Sequence, residues 1–311
     1  MTTITLYWSN ICVLHRWEKA HLDQITTQLA SQGIDLLIRY FGIGYPVRMT
    51  EALSQPNAEL PDLIISTDLE VFEDSRIFDK FKENLHDLKA MFPIKQELSE
   101  QTFNAWPNLL PFLVIPLVVC SNANYQEKSP LSYSEIISTD HVAFGGIGNS
   151  AARSVLKALW DMYGKEDVEF FARRAHITQM PVEAFHAIRQ DKVKIGIVPS
   201  IYAQTANGKT LLRHYPVEGA IALPSYIAAH KKAPVEAIQQ VLKMLLSREF
   251  CDYFVREGSL YCALENSAEN PWIAKHNNRF IYPSAQWFSE VSAEQFQASY
   301  HSFMLHHAND A

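Results

Sequence analysis

The stretch FGGIGNSAARSVLKALWDMYG, residues 144–164, sets a glycine-rich turn directly before an amphipathic helix. Gly146, Gly148 and Ala151 satisfy G-x-G-x-x-A, the spacing by which a dinucleotide pyrophosphate approaches a helix N-terminus. That chemistry also asks for an acidic residue ending the next strand about 20 residues on. The acids near that distance, Glu166, Asp167 and Glu169, fall in a helical stretch, so the dinucleotide reading is set aside. What survives is the physics of a helix start. First-turn amides near Ser150 are unpaired, carry the positive end of the dipole and attract anionic or polar groups. Asn149 or Ser150 would cap the same helix with no ligand at all. Arg153 could hold a carboxylate or oxyanion through its planar fork, or make a surface ion pair.

Other residues invite chemistry by type and place. Cys12 and His15 stand three apart at a helix start, where side chains can meet, but no third group orients them. No G-x-S-x-G elbow, P-loop or H-E-x-x-H occurs, so an enzyme built on Cys12 is the alternative reading and a binder the main one. The four cysteines, Cys12, Cys120, Cys251 and Cys262, form no C-x-x-C. Cys12 and Cys120 fall at strand ends, where a thiolate would favour a soft metal, although inert buried thiols explain them as well. Cys251 and Cys262 read as core residues. The 12 histidines lack metal-ligand spacing, and neither a metal nor a cofactor is expected.

The elements that must carry these residues alternate. ITLYWS (4–9) reads as a strand, 12–32 as a long helix ended by Gly33, IDLLIRYF (34–41) as a strand, 46–54 as a short helix and PDLIIST (61–67) as a third strand. The apolar FLVIPLVVCSN (112–122) is broken by Pro116, and GAIALPSYIAAHKK (219–232) is broken by Pro224. Between them HVAF, the helix after GNS, helices near 165–175 and 181–190, and KIGIVPS make a second series. The fold class is therefore α/β, in two lobes joined by two extended crossovers. Lobe one is 1–118 with 216–311, lobe two is 119–215, and helices at 234–257 and 285–307 are expected to pack back onto lobe one.

In open α/β sheets ligands lie beyond the carboxyl ends of strands. Those turns hold Ser9, Asn10 and Cys12, then Ser66, Thr67 and Asp68, then 146–150, then 199–202. They offer hydroxyls, amides and helix starts with little net charge, which suits a small hydrogen-bonding solute clasped between lobes. Tyr7, Trp8 and Trp106 are candidates to stack on an organic ligand. The full candidate set adds Cys120, Gly148, Asn149, Ser150, Arg153, Ser200, Tyr202 and Tyr226.

The 311 residues carry 27 basic and 34 acidic side chains, net −7, with no basic run, which argues against nucleic acid as a partner. The longest apolar run, LLPFLVIPLVVC, is too short to span a bilayer and contains two prolines, so no membrane insertion is expected. MTTITLYWSN has no secretory-leader pattern; the chain as written is expected in the cytoplasm, or in the periplasm or at the cell surface if a leader was trimmed. A monomer is expected.

The order of these segments resembles the type 2 periplasmic-binding-protein fold, the solute-binding component of ABC transporters, in its ferric-iron and small-ligand branch. ITLYWSN, PDLIISTDLEVFED, GGIGNSAARS, VKIGIVPSIYA and above all VEGAIALPSYIAAHKKAPVEAIQQVLKMLLSREF carry the resemblance across the chain. It implies hinge closure on a small-molecule or ion ligand, with a transporter permease as partner; with no leader pattern, a cytoplasmic ligand sensor is a further option. It implies ligand contacts at Ser9, Thr67, Asn149 and Ser200 by strand-end location. Ferric-binding relatives use adjacent tyrosines in lobe two, which draws attention to Tyr202 and Tyr226; IVPSIYAQ supplies one tyrosine where they carry a pair, and iron is not expected.

Overall fold

Ile4, Leu6 and Trp8 alternate inward along β1 (Thr2–Ser9), which pairs in parallel with β2 (Ile34–Phe41) on one side and β3 (Leu63–Ser66) on the other. The computed structural model describes residues 1–42, 44–125 and 131–305, with only the backbone of Cys12 and Leu305. After a 3-10 turn at Cys12–Leu14, α1 (His15–Ser31) buries Leu22, Ile25 and Leu29, and with them Glu18. It stops at Gly33, whose φ of +84° suits glycine. α2 (Met49–Ser54) returns the chain to β3, and α3 (Glu70–Glu73) and α4 (Ser75–Phe78) follow it. Residues 79–109 are short turns anchored by buried Phe81, Leu85, Leu98 and Phe103.

The second half begins on β4 (Leu110–Asn122), a 13-residue strand buried along its whole length. α5 (Tyr133–Ser138), β5 (Ala143–Gly145), α6 (Ser150–Tyr163), α7 (Lys165–Arg174), β6 (His176–Thr178), α8 (Pro181–Arg189), β7 (Ile195–Pro199), α9 (Ser200–Ala203) and β8 (Leu211–His214) complete it. β9 (Ala220–Ala229), also fully buried, returns to the first half. α10 (Val235–Leu245), α11 (Arg248–Gly258), β10 (Tyr261–Cys262), α12 (Pro271–Ala274), β11 (Phe280–Ile281), α13 (Ala285–Glu290) and α14 (Ala293–Leu305) end the described chain. The sheet runs β2-β1-β3-β9-β4-β7-β5-β6, so the two long strands lie side by side at its centre and join the halves.

Both prolines that interrupt these strands pair across the β4–β9 seam, and on the opposite edge each sits where no described residue pairs with it. On one edge of β4, β10 pairs with Leu113 and Val114 and β7 begins at Leu117, so Pro116 falls in the gap. On the outer edge of β9, β11 pairs with 220–221 and β3 with 226–229, and Pro224 falls in that gap. A residue without a backbone N–H is tolerated in a central strand only where no ladder bond is lost.

Two helical expectations need correction. The stretch 234–257 is two helices, because Ser247 caps α11 by accepting the Phe250 N–H at 3.4 Å; the stretch at 285–307 also divides, into α13 and α14, and 306–307 lie outside the described residues. α10 and α11 do rest on the first half, with Trp17 of α1 stacked on Tyr253. α13 and α14 instead cover α6: Trp160 meets Trp287 edge-on at 6.0 Å, Ser284 N–H and Oγ–H donate to Asp161, and the Tyr300 hydroxyl donates to the Ile147 carbonyl at 2.9 Å. α6 ends in a large aromatic and a carboxylate, and the C-terminal helices are what covers both.

Candidate cleft between the strand ends

Six strand-end turns converge on one cleft of about 430 Å³. β1 delivers Ser9, Asn10 and Ile11; the segment after β2 delivers Phe41, Gly42, Gly44, Tyr45, Val47, Arg48 and Met49; β3 delivers Thr67 and Asp68. From the other half, β5 delivers Gly148 to Ala151, β6 delivers Gln179 to Pro181, and β7 delivers Pro199 and Ile201. The floor is Ile115 of β4 opposite Leu223 of β9, a paired couple lying at the two gaps described above. The parallel strands all point their carboxyl ends at this space, the usual location for a ligand in such sheets.

Of the residues singled out from sequence, Ser9, Asn10, Thr67, Asp68, Gly148, Asn149 and Ser150 line the cleft. Asn149 also caps α6, its Oδ1 accepting the Ala151 N–H at 2.9 Å, and the Ser150 hydroxyl accepts the Leu69 N–H at 3.1 Å. Asn149 is thus the helix cap and Ser150 a tie to the segment after β3, and both also stand on the wall. The turn after β1 is held from beneath by Glu18. Its carboxylate, 1% exposed, accepts the Ile11 N–H at 3.0 Å and the Trp8 Nε1–H at 3.2 Å. Burial pushes this carboxyl up to about 8, against the pull of those two hydrogen bonds.

The other candidates are elsewhere. Ser66 is buried beneath the turn, its hydroxyl accepting the Asp68 N–H at 2.9 Å. Cys120 is fully buried within β4 between Gly196 and Arg213, because a strand with partners on both edges has no free end there. Ser200 donates to the Ser259 carbonyl at 2.8 Å, Tyr202 packs on the Phe185 ring at 6.1 Å, and Tyr226 donates to the Phe103 carbonyl at 2.7 Å. None of these five lines the cleft. The Cys12 side chain lies outside the described residues. The stacking candidates are also packed away, Trp8 in the core, Tyr7 against Phe41 and Trp106 against Phe78.

Arg153 sits behind the wall and serves a different purpose. Its Nη1 donates to the carbonyls of Ile147 and Asn149, its Nε stands 3.2 Å from Glu70, and its guanidinium lies 4.4 Å from the Tyr300 ring centre. Glu70 and Asp68 share Arg48, and Lys157 of α6 pairs with Glu73, which also accepts the Tyr282 hydroxyl at 2.8 Å. Burial opposes ionisation of Glu70, but the cations of Arg153, Lys157 and Arg48 prevail and hold it at about 2. Burial and the neighbouring Glu70 charge push Asp68 upward, with Arg48 opposing. This buried network ties the segment after β3 to the helix after β5.

The turn after β2 is absent from the strand-end candidates drawn from the sequence. Gly42 (φ +101°) passes so close to Asn10 that a side chain there would strike the Asn10 carboxamide. Tyr45 and Val47, each 38% exposed, and Arg48 then form the rim. Applying the strand-end rule to β2 would have found them. Gln179, Met180 and Pro181 follow a three-residue strand that has no sequence signal of its own.

The model of the bacterial extracellular solute-binding proteins matches residues 58–286, about three-quarters of the chain and both crossover strands. The chain belongs to that family. This solute-binding protein has the two-lobe type 2 periplasmic-binding-protein architecture expected from sequence, with β4 and β9 as its crossover strands. Iron-bound HitA from Pseudomonas aeruginosa matches at TM-score 0.65 and 16% identity, over 99% of each chain. Apo ferric ion-binding protein A from Pasteurella haemolytica matches at 0.67 and 11%, over 98% of this chain and 96% of that one. AfuA from Actinobacillus pleuropneumoniae, with exogenous fructose-6-phosphate bound, matches at 0.62 and 11%, over 97% and 98%. At such identities the likeness is one of fold. No curated protein matches in sequence. Among the described residues no helix is long and apolar enough to cross a membrane, and no three His, Cys, Asp or Glu side chains gather as a metal site.

Proposed function

We propose that this solute-binding protein clasps one small ligand in the cleft by hinge closure and presents the closed form to an ABC transporter permease. The moving bodies are residues 1–118 with 216–311 and residues 119–215, with α13 and α14 reaching across from the first to rest on the second. Ser9, Thr67, Gly148 and Asn149 contact the ligand. The observation that carries the reading is the convergence of six strand-end turns, three from each half, on one cavity floored by the crossover pair Ile115 and Leu223. The unpartnered edges around Pro116 and Pro224 support bending at that floor, since no ladder bonds on those edges need to break. The family's extracellular setting favours the periplasm or cell surface over the cytoplasm.

Closure and binding without turnover are read in one experiment. Protein from its own host is stripped of retained small molecules by reversible unfolding, and the extract is added back. A one-to-one complex with a raised melting temperature, a smaller radius of gyration and an unchanged ligand is the expected result. Consumption of the ligand would establish an enzyme instead, and no response to the extract would remove the binding role.

A further inference from the structure

We infer that the solute is a small organic molecule with a mainly apolar body and an uncharged hydrogen-bonding end, and not a metal ion, an inorganic oxyanion or a sugar phosphate. This rests on the cleft being the ligand site. The first half contributes Phe41, Tyr45, Val47 and Met49 to the walls, the second contributes Met180, Pro181 and Ile201, and the floor is aliphatic. Tyr45 and Val47 are large apolar residues left substantially exposed at the rim, where a bound apolar body would cover them. A cavity of about 430 Å³ is in the range of small-molecule sites, far more than a bare ion needs.

Charge decides against ions. Among the described residues the cleft wall carries one cation and one carboxylate, Arg48 and Asp68, and they are paired with each other at 2.6 Å. Arg48 is further held by Glu70, and Asp68 accepts the Thr50 N–H at 3.1 Å. Arg153 and Lys157 of α6, which do not line the cleft, are paired with Glu70 and Glu73. A phosphate drawn into this space would lose its hydration against apolar walls and neutral dipoles, with no free cation to compensate. Besides the Arg48–Asp68 pair, the polar side chains of the wall are hydroxyls and carboxamides, from Ser9, Thr67, Ser150, Asn10, Asn149 and Gln179. They suit an alcohol, amide or neutral ring heteroatom.

Native mass spectrometry of the full chain purified from its own host, with fragmentation of any retained mass, tests this. It is paired with thermal-shift titrations using ferric citrate, inorganic phosphate, fructose 6-phosphate and a panel of uncharged aromatic and aliphatic alcohols and amides. The expected result is a retained uncharged compound of about 10–20 non-hydrogen atoms, no shift with the three ionic probes, and at least a tenfold loss of occupancy in Val47→Asp. Val47 lies at the exposed rim, so this variant is expected to fold, and an unchanged melting temperature of the stripped variant checks that. Retained iron, phosphate or a phosphorylated compound, or stabilisation by any ionic probe, would overturn the inference and leave the solute-binding reading standing. Silence towards every compound, with nothing retained, would overturn both.

Discussion

The Nε of Arg153 in α6 stands 3.2 Å from Oε1 of Glu70 in α3, joining the helix that starts at the second-half wall of the cleft to the segment that leaves the first-half wall. With Lys157, Glu73 and, at the cleft rim, Arg48 it forms a charged seam, and Tyr300 and Phe296 of the C-terminal helix lie over Arg153 and Lys157. Arg153, Glu70, Lys157 and Glu73 link the segment after β3 to α6 without lining the cleft.

Removing one partner of a buried pair is costly, because the other is left charged and dry. Arg153→Ala is therefore expected to destabilise the protein by about 3 kcal/mol in urea unfolding. The pH dependence has a defined sign. Glu70 is held below its ordinary value, so its contribution is present above pH 4.5 and is lost as pH falls towards about 2. Glu70→Gln should flatten the acid limb of the stability curve in that window.

Glu18 behaves in the opposite sense. Its folded-state value is raised to about 8, so the folded protein binds the proton more tightly than the unfolded chain, and stability falls as pH rises from 4.5 to about 8. Glu18→Gln should be more stable relative to wild type at pH 8 than at pH 5, by about 3 kcal/mol. Thermal unfolding across that range checks it; a difference that shrinks with rising pH would contradict the assignment.

Tyr226 is a packing residue whose hydroxyl satisfies a buried carbonyl. Tyr226→Phe is expected to cost about 1 kcal/mol of stability and to leave retained ligand at wild-type occupancy by mass spectrometry. A loss of ligand at unchanged stability would return Tyr226 to the site.

Cys120 is fully buried, and burial pushes its thiol up to about 12. It should resist a disulfide reagent at pH 8 in the folded protein and react on unfolding, as followed by peptide mapping.

The alternation of strands and helices was readable because each strand is a short apolar block ended by glycine, proline or a capping residue; Ile34–Phe41 appears with the same ends in sequence and structure. The crossovers were readable from Pro116 and Pro224, which mark long apolar strands that no ordinary buried strand would tolerate. Less visible were elements whose identity comes from partners. β10 and β11, two residues each, exist only because β4 and β9 offer an edge. The direction taken by α13 and α14 depends on the exposed end of α6, which periodicity does not encode.

The cleft lining was legible where a polar turn follows a strong strand, as at Ser9, Thr67 and Asn149. It failed at Ser66, Ser200 and Cys120, where a side chain near a strand end points into protein. Position along a strand reports which end faces the ligand, while the alternation of side chains decides which residues do. Glu18 left a trace: it occupies the apolar stripe of α1 four residues after Leu14 and four before Leu22, where an acid needs a buried partner.

The central claim is that the ligand occupies the space between the first-half turns and the turn before α6. Gly148 lines that space, and a Cβ there meets no atom within 4 Å, so Gly148→Trp is expected to project its ring into the cleft with the backbone unstrained. Isothermal titration of stripped wild type and Gly148→Trp with the compound recovered from the host protein measures the consequence. The account predicts one site per chain in the wild type and no measurable binding in the variant at an unchanged melting temperature; equal affinity in both would place the solute elsewhere and end it.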